Sequence, residues 1–207
     1  MSKRKTVLFG GTFDPIHLGH TTVAQAAIEQ IGAEKMLFIP ARRSPLKKTL
    51  PQGSNQDRLA MITLAIEGLE KFEVSDYELK GTDPSYTLDT VRHFQEEYGS
   101  DTSLYWLAGA DSIIELEFWY GINELIDQYN LCVMYRAGFE EPDFGKLSST
   151  LDFERVAKLK KNIIKTPLVD ISSTEIRRRL AAGDDVSNMV HPGVAEYIKQ
   201  HRLYKPK

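Results

Sequence analysis

The residues best suited to chemistry stand near the N-terminus, in Gly10-Gly11-Thr12-Phe13-Asp14-Pro15-Ile16-His17-Leu18-Gly19-His20. Two glycines let a backbone turn sharply and approach a ligand. A helix is expected to begin near His17, where unpaired first-turn amides and the helix dipole favour an anion. His17 and His20 project from one face of that turn, and Gly19 leaves the face open. Two donors aimed where the amides already point would clamp a phosphate. The pair also fits a metal site, although zinc helices more often carry histidines four apart with a third ligand, and it fits an ordinary helix start. The glycine patterns of the P-loop and of dinucleotide-binding folds are both absent.

A second group lies far downstream, in Val169-Asp170-Ile171-Ser172-Ser173-Thr174-Glu175-Ile176-Arg177. Ser172 and Glu175 have the spacing of a capping box, which alone indicates a well-capped helix. Hydroxyls, free amides and Arg177 at the same helix start would also make an anion site. Taken with the first segment, the second reading gains. Two helix starts carrying cationic or hydroxyl donors could face one polyphosphate from opposite sides.

Both segments follow short apolar runs. Strands are expected at 6–9, 36–39, 72–75, 103–107 and 130–135, with a last one inside 165–171. Helical patterns cover 18–31, closed by Gly32, and 56–67, 86–98, 123–128, 174–182 and 191–201. The stretch 136–149 is turn-rich, and 42–53 is a basic loop. Strands alternating with helices call for an α/β fold: a Rossmann-like, doubly wound, mainly parallel sheet with helices on both faces. Ligands of such sheets bind at the carboxyl ends of the strands, where both segments lie. No repeat, low-complexity tract or linker divides the chain, so one domain over 1–207 is expected.

Composition limits the partners. Of 207 residues, 42% are hydrophobic and 27% charged, ordinary for a soluble globular chain. The net charge of −3 argues against a dedicated nucleic-acid binder, so anion binding must come from local clusters. A single cysteine, Cys132, cannot form an internal disulfide, which suits a cytoplasmic enzyme. It sits in an apolar run and reads as a buried strand residue. The N-terminal apolar run is too short for a signal peptide or a membrane span.

Together His17-Leu18-Gly19-His20 and the run Ile171 to Arg177 resemble the nucleotidyltransferase superfamily marked by H-x-G-H and I-S-S-T-x-x-R signatures. Pro84 to Thr90, Gly109-Ala110-Asp111, Trp119-Tyr120 and Arg136-Ala137-Gly138 follow in an order that looks like the bacterial nicotinate-nucleotide adenylyltransferases. The resemblance runs from about residue 6 to the C-terminus. It departs twice: Leu46-Lys47 stands where the family has His-Lys, and Ala137 where it has Pro.

The resemblance implies attack by a phosphate oxygen of nicotinate mononucleotide on the α-phosphorus of ATP, with pyrophosphate leaving. His17 and His20 would meet the phosphates around the reacting centre. Lys47 and Arg177 would hold the β- and γ-phosphates. Mg²⁺ would ride on substrate oxygens and water, with no metal ligands from the protein. Gly10, Gly11, Gly109, Asp111, Ile171, Ser172, Ser173 and Thr174 would line the ATP side. Asp111 would lie near a ribose or the metal, although locally it equally fits a helix N-cap. Thr12, Phe13, Thr87, Trp119, Tyr120 and Arg136 would serve the pyridine nucleotide. Trp119 would be the stacking platform, although plain core packing with Leu116 and Phe118 also fits it, and Thr87 and Tyr120 would read the ring carboxylate. Arg178 and Arg179 read as solvated surface.

Two rivals remain. A sister adenylyltransferase would take the amide nucleotide or phosphopantetheine; the 85–87 and 119–120 segments argue against the pantetheine branch. A non-catalytic nucleotide sensor would keep the fold and lose the phosphate donors, which are all present here. Neither nucleic acid nor membrane is expected as a partner. The oligomeric state stays open, a homo-oligomer included.

Overall fold

The computed structural model describes residues 3–43, 45–46, 49–136, 144–145, 147 and 150–205. Six strands form one sheet: β1 (Arg4–Gly11), β2 (Lys35–Pro40), β3 (Phe72–Val74), β4 (Thr102–Gly109), β5 (Asn130–Arg136) and β6 (Ile163–Thr166). Their order is β3-β2-β1-β4-β5-β6, and every pairing is parallel. The chain winds outward from β1 in one direction and then from β4 in the other. A crevice therefore opens at the carboxyl ends of β1 and β4, where neighbouring connections diverge.

The strands alternate between two cores. Val7, Phe9, Met36, Phe38, Leu107 and Cys132 pack on one face. Leu8, Leu37, Ile39, Trp106, Ala108, Leu131 and Val133 pack on the other. This is the period-two pattern of a sheet buried on both sides. The first face is covered by α1 (Leu18–Ile31), α2 (Asn55–Ala65), α7 (Ser173–Ala182) and α8 (Pro192–Gln200). The second is covered by α4 (Thr87–Tyr98), α5 (Ile122–Gln128) and α6 (Phe153–Lys161). A short α3 (Tyr77–Lys80) and a 3₁₀ segment (Ala110–Phe118) complete the chain. The doubly wound α/β expectation holds.

Helix α1 begins at Leu18 and stops at Gly32, whose φ of 66° puts it in the left-handed region that glycine tolerates. Some boundaries differ from expectation. The last strand is Ile163–Thr166 rather than a run inside 165–171: Pro167 has no N–H to continue the ladder, and 167–172 crosses as irregular chain. Helix α6 escapes a periodicity reading that the turn-rich stretch before it interrupts, although Val156 and Leu159 face the core. The capping box at Ser172 is only half formed. The Ser172 hydroxyl accepts from the Glu175 N–H at 3.2 Å, but the Glu175 carboxylate turns to Arg178 and Arg179. Two guanidinium partners win over one backbone amide. No described helix is long and apolar enough to cross a membrane.

Candidate active site

The β1 strand delivers Gly10 and Gly11 to the crevice, and the next turn ends at His17, the residue that precedes α1. His17 is buried, and its backbone N–H donates to Nδ1 of His20 at 3.2 Å. With Nδ1 accepting, the neutral His20 ring carries its proton on Nε2, on the opposite edge. The two imidazoles share one face, as the spacing suggests, and stack with centroids 3.7 Å apart. Gly19 makes this possible, because a Cβ there would come within 2.9 Å of His17 Nδ1.

The two predicted segments meet. Arg177, in the second turn of α7, donates to the Asp14 carbonyl at 2.6 Å and to the Thr174 hydroxyl at 3.2 Å. The Ser173 hydroxyl donates to the Pro15 carbonyl at 2.9 Å. Together they wall a cavity of about 980 Å³ that includes Gly10 to Asp14, His17, His20, Gly109, the run Ile171 to Thr174 and Arg177. Tyr135, Thr166, Pro167 and Val169 also line it. The helix start and Arg177 thus line one space with the histidines.

A smaller cavity of about 230 Å³ adjoins it and shares Gly10, Gly11, Thr12, Gly109 and Ser112. Its other walls include Thr87, Trp106, Trp119, Tyr120 and Leu46. Trp119 is half-buried and also packs on the second core, so the stacking and packing readings overlap in one side chain. Tyr86 and Tyr120 contact each other with centroids 5.0 Å apart. Phe13 lies elsewhere. It is buried, lines the larger cavity only, and packs edge-on against Phe9 and His20.

Lys47 lies outside the described residues, as do the side chains of Asp111 and Arg136. The backbone puts Arg136 at the end of β5 and Asp111 in the first turn of the 3₁₀ segment after Gly109. Arg178 and Arg179 are held by Glu175. Their hydrogen bonds pull the Glu175 carboxyl down to about 2.

Sequence reasoning missed a polar cluster beneath the site. Arg58 is fully buried, and its Nη1 donates to the carbonyls of Thr12 at 2.8 Å and Ala41 at 2.7 Å. The Asp14 carboxylate accepts from the N–H groups of Gln52 and Gly53 and from the Tyr204 hydroxyl. Burial, then the Asp14 charge, pushes the Tyr204 phenol far up, so it stays a donor. One signal was available: Arg58 stands on the buried stripe of α2 with Met61, Ile62 and Ala65, where an unpaired cation would be costly. Trp106, which floors the smaller cavity, read only as a strand residue. Glu78 is a third: buried at the edge of the same cavity, its carboxyl is raised by desolvation and receives the Thr90 hydroxyl at 2.6 Å.

A switch-point crevice holding two joined cavities, one lined by stacked histidines and an arginine, is the ligand-binding arrangement of a doubly wound α/β protein, with donors suited to anions. The cytidylyltransferase-like family model matches residues 8–179. A probable nicotinate-nucleotide adenylyltransferase of Rhodopirellula baltica is 35% identical over 96% of this chain and 92% of that protein. One from Clostridium tetani is 36% identical over 98% of this chain and 100% of its own. Among solved structures, a Plasmodium falciparum nicotinic acid mononucleotide adenylyltransferase complexed with APC superposes with a TM-score of 0.71 at 20% identity, over 97% of each chain. That likeness is one of fold. The chain belongs to the nicotinate-nucleotide adenylyltransferase family, within the cytidylyltransferase-like nucleotidyltransferases.

Proposed function

We propose that the chain transfers the adenylyl group of ATP to nicotinate mononucleotide, giving nicotinate adenine dinucleotide and pyrophosphate, a step of NAD biosynthesis. The observation that carries this reading is the junction of the two cavities at Gly10-Gly11-Thr12 and Gly109. A nucleotide in each would bring their phosphates together beside the two histidines. The family membership supports it, since the relatives carry that activity in their names. The Plasmodium falciparum enzyme has also been solved complexed with NaAD.

The chemistry asks little of a general base. The attacking phosphate oxygen is already an anion; it forms a bond to the α-phosphorus as the bond to the bridging oxygen of pyrophosphate breaks. Positioning and charge neutralisation do the rest. His20, donating from Nε2, and His17 serve the reacting phosphates. Arg177, fixed by Asp14 and Thr174, serves the β- and γ-phosphates together with Lys47. Trp119 stacks on the pyridinium ring, and Thr87 and Tyr120 receive its carboxylate. Gly109 and Asp111 take the adenosine side, and Arg136 the pyridine nucleotide's phosphate.

Mg²⁺ enters as part of the ATP substrate and neutralises triphosphate charge. Among the described residues no group of three or more His, Cys, Asp or Glu is arranged for a metal, and the Asp14 oxygens are engaged by Gln52, Gly53 and Tyr204. In this reading Mg²⁺ would be held mainly by substrate oxygens and water, the usual habit of Mg²⁺ at nucleotide sites.

The test is pyrophosphate release from Mg·ATP with nicotinate mononucleotide or nicotinamide mononucleotide. Strong preference for the acid is expected. Preference for the amide would move the chain to the sister activity, and ATP binding without release from either would favour a sensor.

A further inference from the structure

We propose that Tyr204, near the C-terminus, is a positioning residue: through Asp14 it holds the wall of the larger cavity that faces the triphosphate. This rests on reading that cavity as the ATP site. The Tyr204 hydroxyl donates to Asp14 Oδ1 at 2.7 Å across 190 residues of sequence. The same oxygen accepts the Gly53 N–H at 2.9 Å, and Oδ2 accepts the Gln52 N–H at 2.8 Å. The preceding residues Thr49, Leu50 and Pro51 line the cavity beside Asp14 and Arg177. The Asp14 carbonyl in turn receives Arg177. One aspartate thus joins the turn after β1, the loop before α2, the α7 arginine and the C-terminal turn.

Two features mark the C-terminal turn as built for this contact. Arg202 and Tyr204 have φ of 53° and 61°, a left-handed backbone that bulky residues adopt only when their surroundings hold them there. The Tyr204 ring is buried in the first core, so its hydroxyl is delivered to Asp14 without solvent competition. A phenol kept only for packing would not need its oxygen between a carboxylate and a glycine. At Gly53 the fit is close enough that a Cβ would come within 2.9 Å of Asp14 Oδ1 and 3.0 Å of the Tyr204 oxygen.

Tyr204→Phe keeps the ring and removes only the hydrogen bond. Loss of one such bond to a carboxylate should raise the KM for ATP about three- to tenfold, with the KM for the pyridine nucleotide changed less than about twofold. Amide hydrogen exchange at Gln52 and Gly53 should quicken. Tyr197→Phe is the control: it also deletes a phenol–carboxylate bond, to Asp57 at 3.0 Å, but that bond ties α8 to α2. It should lower Tm and leave both KM values alone. Gly53→Ala should reproduce the Tyr204→Phe pattern, and the double variant should fall short of the product of the two. Kinetics in Tyr204→Phe matching Tyr197→Phe, or unchanged exchange at Gln52 and Gly53, would overturn the proposal. If the native protein binds no non-hydrolysable ATP analogue, the ATP reading fails, while the exchange measurement still decides whether Tyr204 holds the loop.

Discussion

The Arg177 guanidinium donates to the Asp14 carbonyl oxygen at 2.6 Å, linking the start of α7 to the turn after β1 across 163 residues. A second nitrogen reaches the Thr174 hydroxyl. The planar fork therefore has a fixed pose before any phosphate arrives. Arg177→Lys keeps the charge but cannot span both partners. It should lower kcat by about tenfold or more, and Arg177→Ala by about 10²–10³, as for loss of a transition-state donor. If Arg177→Lys were fully active in steady-state pyrophosphate release, charge alone would suffice and the fork would be incidental.

His20 has two jobs on two ring atoms. Nδ1 accepts the His17 N–H at the head of α1, and the proposed reaction gives Nε2 the reacting phosphate. His20→Asn puts an amide oxygen near Nδ1 and offers nothing near Nε2. The expected result is near-native Tm with kcat lowered about 10²–10³. A rise in KM alone would place His20 in ground-state binding.

Trp106 and Trp119 are the chain's two tryptophans, and both line the smaller cavity. Intrinsic fluorescence is thus a direct report on that cavity. Nicotinate mononucleotide should quench most of the emission, and an ATP analogue alone much less. Trp119→Ala should raise the KM for the pyridine nucleotide at least about tenfold more than that for ATP, because stacking on a cationic ring is lost with the packing. Equal effects on both substrates would reduce Trp119 to a core residue.

Cys132 is 1% exposed, and burial pushes its thiol up to about 12 from an ordinary 9.0. The folded state holds the proton more tightly than the unfolded state. The contribution is intact below pH 9 and is lost as pH rises from there toward 12. A thiol reagent at pH 8 should therefore label the native protein only as fast as it opens, and denaturant should release the full reactivity at once. Rapid labelling of the native state would contradict the burial.

The histidine turn and the α7 start were legible because their residue types are unusual where they stand, and because strand ends are where a parallel sheet binds ligands. Their joining at Asp14 and Pro15 was not, since it is a tertiary contact between segments that share no local pattern. Tyr204 was invisible for a related reason, and Arg58 showed only in its place on the apolar stripe of α2. An arginine in a helix and a tyrosine near a terminus can both face solvent, and packing decides the burial. Glu175 misled through its spacing, which suited a capping box until two arginines on its own helix competed for it.

Gly10, the last residue but one of β1, leaves room for no side chain. A Cβ there would stand 2.3 Å from Cζ2 of Trp106 on the neighbouring strand, and Trp106, packed in the second core, can yield only on the side where it lines the smaller cavity. Gly10→Ala should cost about 1–3 kcal/mol as overpacking. For a chain of this size that is a fall in Tm of very roughly 2–12 °C. The clash pushes the indole into the smaller cavity, so the KM for the pyridine nucleotide should climb while ATP-analogue binding changes little. Trp106→Phe in the same background removes the colliding ring and should recover part of both losses. If the double variant recovered stability but not affinity, the indole itself would be needed as the cavity floor. If it recovered neither, the Gly10 backbone would be required for some other contact with the ligand.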